Sequence, residues 1–179
     1  ATAAMAALLP FFPIVALAIW LEDTGPIFYR QERMGLDGRS FMMLKFRSMR
    51  VNAESSTGPV WAVKGDPRRT RLGTFLRHWS LDELPQLWNV IKGEMSIIGP
   101  RPERPAFVHE FKHRIPQYML RHRVKAGITG WAQVHGWRGN TSIRKRIQYD
   151  LYYIENWSLK LDFKILWMTF RHGLRHNAY

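Results

Sequence analysis

Two adjacent carboxylates, Asp82 and Glu83, lie between Ser80-Leu81 and Leu84-Pro85 in a chain otherwise rich in cations. A capping box from Ser80 to Glu83 would make them a helix start and nothing more. Pro85 speaks against that register, because proline fits the first turn of a helix and would fall deeper in one capped at Ser80. A start nearer Asp82 puts both acids at the positive end of a helix dipole, which keeps Asp82 ionised. An ionised carboxylate is what a nucleophile or a Mg²⁺ ligand requires. Lys45, Arg47, Arg68, Arg71, Arg77 and Arg101 accompany the pair. Guanidinium forks match phosphate geometry and lysine adds a mobile point charge. Arg101 is held between Pro100 and Pro102, which limits its backbone freedom. Any one of these cations could be a solvated surface charge. Together with paired acids they point to phosphoryl chemistry, where positioning and charge neutralisation carry most of the rate. The chain has no P-loop, dinucleotide fingerprint, HExxH or Gly-x-Ser-x-Gly, and its 7 histidines show no metal-ligand spacing.

The elements that must position these groups are readable in outline. Ile27–Gln31 and Phe41–Phe46 read as strands around Gly35-Leu36-Asp37-Gly38, whose Asp-Gly pair signals a hairpin. Residues 52–66 are rich in Ser, Gly, Thr and Pro and read as a mobile loop. One helix is expected from about Thr70 to Trp79 and another from the acid pair to Ile91. Met95–Ile98 is short and apolar, and Gly99-Pro100-Arg101-Pro102 then forces an extended or turning path. Ile143, Ile147, Leu151 and Ile154 fall at helical spacing, as do Leu159, Phe163, Leu166, Trp167, Phe170 and Leu174. The second stripe, opposite Lys160, Lys164 and Arg171, suits either a membrane interface or a core-packed helix.

Residues 1–21 carry no charge, and about 20 apolar residues make the length of a membrane helix. Pro10 and Pro13 near the middle favour a helix that breaks and returns to the same side over a straight span. A buried core helix is the plain alternative. The stretch starts without an initiator Met or basic leader, so an N-terminal portion is expected to be missing. With 179 residues, 46% hydrophobic, the chain suits one folded domain. Lys and Arg outnumber Asp and Glu by 27 to 14, a net charge of +13 that calls for an anionic partner: nucleic acid, anionic lipid or phosphorylated substrate. Cysteine is absent and tryptophan appears 8 times, which fits cytoplasmic exposure and interfacial membrane contact.

Several longer segments occur in order. They are Gly25–Gln31, Lys45-Phe46-Arg47-Ser48-Met49, Asp66-Pro67-Arg68, Ser80–Leu87, Met95–Pro102 and Gly127–Val134. On these the chain resembles the bacterial sugar transferase family, the monotopic phosphoglycosyl transferases, from about Leu8 to Tyr179. The resemblance implies an α+β fold, mainly helical with a small β-hairpin. Residues 1–24 would form the Pro-broken re-entrant membrane helix and 25–179 a cytoplasmic-face catalytic domain with interfacial amphipathic helices. It implies an enzyme of the bacterial inner membrane that moves a sugar-1-phosphate, with glucose favoured, from a UDP-sugar to undecaprenyl phosphate. Asp82 matches the family's nucleophile and Glu83 the second acid, the two expected to hold Mg²⁺. Lys45, Arg77 and Arg101 match phosphate-binding positions, and Arg68 and Gln133 complete the expected substrate-binding set. Anionic lipids and a second copy of the chain are further expected partners. Ala126, His135 and Glu94 depart from proline, asparagine and aspartate common in the family, and none touches the acid pair in sequence. The rival classes are a basic nucleic-acid-binding protein, disfavoured by the uncharged leading stretch, and a non-catalytic membrane scaffold, disfavoured by the intact Asp82, Glu83 and Arg101.

Overall fold

The computed structural model describes all residues except 56, 57, 59, 61–64 and 174–179. The chain opens with helix α1 (Thr2–Leu8), a 3₁₀ turn at Leu9–Phe11, and helix α2 (Phe12–Glu22). Pro10 and Pro13 each remove a backbone donor, and the 3₁₀ stretch begins just before Pro10 and gives way to α2 just before Pro13. Backbone angles stay right-handed helical from Leu8 to Phe12, so the prolines loosen this helix without ending it. Thr2–Glu22 is long and apolar enough to cross a membrane by length and composition, and very little of it is buried within the protein.

A hairpin follows. Strand β1 (Phe28–Met34) pairs antiparallel with β2 (Ser40–Phe46), with Asp37 left-handed (φ 53°) in the 3₁₀ turn between them. Both strands run beyond the predicted segments, because the Arg33 and Met34 positions still find partners in Phe41 and Ser40. Residues 51–55 form turns, and much of the predicted mobile loop beyond them lies outside the described residues. Helix α3 (Arg71–His78) matches expectation, with the Thr70 side chain accepting from the Gly73 N–H at its start. A 3₁₀ turn at Leu81–Glu83 precedes α4 (Gln86–Ile91).

Strand β3 (Ser96–Ile98) pairs in parallel with β4 (Gly127–Thr129), a partner not foreseen from the sequence. Helix α5 (Pro105–Arg114) lies between them, and α6 (Trp131–Val134), α7 (Ile143–Glu155) and α8 (Leu159–Gly173) complete the order. The β3–β4 crossing explains why two Gly-containing segments are both needed. Gly99 N–H donates to the Thr129 carbonyl (2.9 Å) and Gly127 N–H to the Pro100 carbonyl (2.9 Å). A Cβ on Gly127 would sit 2.1 Å from the Gly99 nitrogen, a clash with backbone that no rotamer relieves. Gly127→Ala is therefore expected to shift Arg101 and to cost more than about 2 kcal/mol, seen as a lowered Tm together with lost activity; an unchanged Tm would refute the close approach.

The core has three parts. Ile19, Phe46 and Leu76 bring α2, β2 and α3 together, with Leu81 and Leu84 packed against them. Val108, Tyr118 and Ile147 join α5 to α7, and Val134, Tyr153 and Ile165 join α6, α7 and α8. On α8 the buried contacts come from Leu161, Ile165 and Met168. Of the predicted stripe, Leu159, Phe163, Trp167 and Phe170 are 65–70% exposed and Leu166 40%, so that face does not pack on the core, and Leu174 lies outside the described residues.

Candidate active site

Asp82 and Glu83 occupy the 3₁₀ turn, and both are buried. Ser80 adopts a left-handed conformation (φ 55°) that turns the chain sharply out of α3, and its side chain caps nothing. The capping box is thus absent. The expected helix start near Asp82 is corrected as well: Pro85 is the N-cap residue of α4, and the acids sit in the tighter turn before it. Leu81 and Leu84, on either side of the acids, face the apolar cluster around Ile19 of α2.

Glu83 is held by cations from three directions. Lys45 Nζ of β2 donates to its Oε1 (2.8 Å). Arg101 grips it with a fork, Nη2 to Oε1 (2.6 Å) and Nη1 to Oε2 (3.2 Å). Arg138 Nη2 lies 3.2 Å from Oε1 while its Nη1 donates to Ser80 Oγ (3.1 Å). Burial acts to raise the Glu83 pKa, but Arg101, Lys45 and Arg138 outweigh it and hold the carboxyl well below its ordinary range. Asp82 is placed differently. Burial, and then the charge of Glu83, raise its pKa, with Arg77 Nε of α3 3.9 Å from Oδ2 as a nearby cation. Its Oδ1 is buried and accepts no hydrogen bond. One acid is therefore neutralised in advance and the other keeps a buried oxygen that accepts no hydrogen bond. Burial pushes the Lys45 ammonium down to about 8, with Glu83 opposing the shift.

These cations line a cavity of about 480 Å³, within the size range of small-molecule sites. Lys45, Arg77, Arg101 and Arg138 form the part of its wall that stands in front of the acids. Arg68 also lines the cavity while forking onto Asp66 (2.6 and 2.9 Å). Gln133 is not brought here; its Nε2 donates to the Ile128 carbonyl (3.0 Å) and braces β4. Arg47 closes onto the Asp23 and Thr24 carbonyls at the end of α2, and Arg71 offers its backbone N–H to Glu22 (2.7 Å).

Helix α7 reaches the site through buried ion pairs that apolar spacing does not reveal. Arg121 donates to Asp150 (2.7 Å) and to the Arg101 carbonyl (2.8 Å). Arg146 pairs with Glu103 and donates to the Gly139 carbonyl (2.5 Å), beside Arg138. Arg33 of β1 adds a bond to the Pro102 carbonyl (3.0 Å). Arg101 and Arg138 thus stand on backbone that is clamped from behind. Arg138 was not singled out from the sequence; the signal was its position between Gly136 and Gly139, both at positive φ, where a sharp turn projects a single guanidinium.

Two carboxylates behind a wall of guanidinium and ammonium groups can receive a multiply charged phosphate ester and offer a nucleophilic oxygen to it. Residues 1–176 match the model of the family described as bacterial sugar transferase. The chain is 50% identical over 173 residues to a UDP-glucose:undecaprenyl-phosphate glucose-1-phosphate transferase of Xanthomonas campestris pv. campestris, covering 94% of this chain and 36% of the relative. It is 47% identical over 173 residues to the protein of the same description from Escherichia coli K12, covering 94% and 37%. Over 164 residues it is 48% identical to a UDP-N-acetylgalactosamine-undecaprenyl-phosphate N-acetylgalactosaminephosphotransferase of Aeromonas hydrophila, covering 90% and 38%. The chain spans little more than a third of the length of these relatives. With nearly its whole length matched, the chain belongs to the bacterial sugar transferase family.

Proposed function

We propose that this chain transfers glucose-1-phosphate from UDP-glucose to undecaprenyl phosphate at the cytoplasmic face of the bacterial inner membrane. The observation that carries the reading is the asymmetry of the acid pair. Glu83 is saturated by Lys45, Arg101 and Arg138, while Asp82 retains a buried, unbonded Oδ1. In the first step an Asp82 oxygen attacks the sugar-bearing phosphorus, forming an O–P bond as the bond to the nucleotide phosphate breaks. UMP departs with the electron pair. In the second step an oxygen of undecaprenyl phosphate attacks the same phosphorus and returns Asp82 as a carboxylate. One anhydride replaces another, so no outside energy source is required. Arg77, Arg101, Arg138 and Lys45 neutralise the phosphates, and Glu83 keeps three of these cations in place before substrate arrives.

The site fits Mg²⁺ held through Asp82 together with phosphate oxygens, since Mg²⁺ is commonly bound by one or two carboxylates plus substrate. Among the described residues no cluster of three or more metal-ligating side chains exists, and the oxygens of Glu83 are taken. When bound there, the ion would supply charge neutralisation at the diphosphate.

The lipid acceptor fixes where the site must be. Leu9, Phe11, Ile14, Leu17 and Leu21 of the leading helix are 57–68% exposed, as are the aromatic stripe of α8 and Trp20, Trp79, Trp88, Trp157 and Trp167 at 45–66%. Tryptophan favours the headgroup boundary, so these groups support a chain whose leading helix enters one leaflet and whose α8 lies at its surface. The whole protein's substrates are tested by incubating the chain in detergent with labelled UDP-glucose, Mg²⁺ and undecaprenyl phosphate. Label in the lipid with matching UMP supports the reading; UMP without labelled lipid, or neither product from folded protein, would sink it.

The rate should also depend on pH in a definite direction. Below about 8 Lys45 is charged; as pH rises through that value the charge is lost and kcat/KM falls. On the acid side kcat/KM falls as Asp82, its pKa raised, becomes protonated. Lys45→Arg, which stays charged, is expected to abolish the alkaline fall. An alkaline limb unchanged in Lys45→Arg would assign it to another group.

A further inference from the structure

The cavity lining also holds an aromatic ring and a carboxylate, Tyr29 and Glu54, among further cations that include Arg33 and Arg104. Strand alternation puts Tyr29, Gln31 and Arg33 on one face of β1, and all three line the cavity. Tyr29 stands directly across from Lys45 in the hairpin register, so the two side chains share that face about one strand spacing apart. The neighbouring pair, Phe28 and Phe46, stack at 5.4 Å. Glu54 is gripped by the fork of Arg104, Nη1 to Oε1 (2.9 Å) and Nη2 to Oε2 (2.6 Å). Gln31 Nε2 donates to the Tyr29 hydroxyl (3.3 Å), which steadies a ring that is 40% exposed.

A carboxylate accepts hydrogen bonds and cannot donate them, and it repels phosphate. Glu54, whose Arg104 fork occupies two of its lone pairs and leaves others to accept, suits the uncharged, hydroxyl-bearing part of a donor whose phosphates lie at Lys45 and Arg101. The exposed Tyr29 ring offers a face for a flat ring to stack on. Glu83, Lys45 and Tyr29 follow one another by ion pair and strand register, and Glu54 with its partner Arg104 lines the same cavity. Phosphoryl transfer places the leaving group in line with and opposite to the nucleophile. What departs from Asp82 across the cations is the nucleotide, not the sugar.

We propose that Tyr29 and Glu54 form the subsite for the nucleoside of the donor, with the pyrimidine stacked on the Tyr29 ring and the ribose diol donating to Glu54. This rests on the transferase reading and names which half of the donor these two residues hold. UMP separates the halves, because it carries the nucleoside and one phosphate but no hexose; glucose-1-phosphate carries the hexose and no nucleoside.

The test is calorimetric titration of the complete chain in detergent with UMP, 2′-deoxy-UMP and glucose-1-phosphate, with thermal melts to check folding. Tyr29→Ala is expected to weaken UMP roughly tenfold to a hundredfold, while Tyr29→Phe, which keeps the ring, stays within about threefold of wild type. Glu54→Gln should weaken UMP while narrowing its advantage over 2′-deoxy-UMP, and neither variant should alter glucose-1-phosphate. Unchanged UMP affinity in well-folded Tyr29→Ala overturns the proposal. If that variant instead loses only glucose-1-phosphate, the subsite belongs to the sugar, and the proposal fails while the transferase reading stands. Wild type that binds UMP through Tyr29 yet releases none from UDP-glucose would keep the subsite and remove the transferase reading. Absence of UMP binding by wild type would remove both.

Discussion

Asp82→Asn is expected to lower turnover by at least about a thousandfold while leaving the melting temperature near that of wild type. The substitution is nearly isosteric, and the lost charge lies beside Arg77 at 3.9 Å, too long for a strong hydrogen bond. Folding therefore loses little. Chemistry loses the attacking oxygen, because an amide is a poor nucleophile at any accessible pH. Intact-protein mass measured with UDP-glucose and Mg²⁺, without lipid acceptor, gives the sharper readout. Wild type should gain one hexose phosphate, and Asp82→Asn should gain none. UMP formation by wild type only when undecaprenyl phosphate is added, with no adduct at any time, would favour direct transfer between the two substrates. Equal adducts on both proteins would assign the nucleophile elsewhere.

The largest effect on stability is expected from Asp150→Ala. Asp150 and Arg121 are each 2% exposed at their side chains, and their ion pair is joined by the Arg101 carbonyl and the Tyr118 hydroxyl. Breaking a buried pair leaves an uncompensated charge and costs about 3–5 kcal/mol. For a chain of this size that corresponds to a Tm lower by roughly 6–20 °C. Activity should fall in the same variant at temperatures where it remains folded, since Arg121 would no longer hold the Arg101 carbonyl in place. A double replacement of Asp150 and Arg121 by apolar residues of similar volume should recover much of the Tm and little of the activity. A Tm within about 2 °C of wild type in Asp150→Ala would show that the buried charge finds another partner.

Local patterns carried much of this fold. The helix expected from about Thr70 to Trp79, the Asp37-Gly38 turn and the spacing of Ile143, Ile147 and Leu151 anticipated α3, the hairpin and α7 because each depends on interactions within a few residues. The β3–β4 pair was not legible, since Ser96 and Gly127 meet across 31 positions and each strand is only 3 residues long. Helix α5 was missed for a related reason: His109, Glu110, Lys112, His113 and Arg114 dilute its apolar face, of which only Val108 is fully buried. At the site, the acid pair and Lys45, Arg77 and Arg101 were recognisable by type and motif. Arg138 and the Arg121–Asp150 and Arg146–Glu103 pairs were not, because a buried cation and a surface one look alike until the opposite charge is placed. Gln133 shows the converse: a polar residue inside a recognisable segment serves the backbone of β4 and not the cavity.

The junction between the leading helix and the turn that carries Asp82 has a mechanical consequence. Ile19 is a core residue under Leu81 and Leu84, Glu22 receives the first N–H groups of α3, and Arg47 closes the far end of α2. The apolar helix is therefore a foundation and not a tether. A tether could be cut to give a soluble enzyme, whereas removing this helix would open the floor beneath Asp82. The same rigidity means that any tilt imposed on the helix by its surroundings is transmitted to the turn that holds Asp82, so that the depth and angle at which the helix sits become part of the geometry of the site.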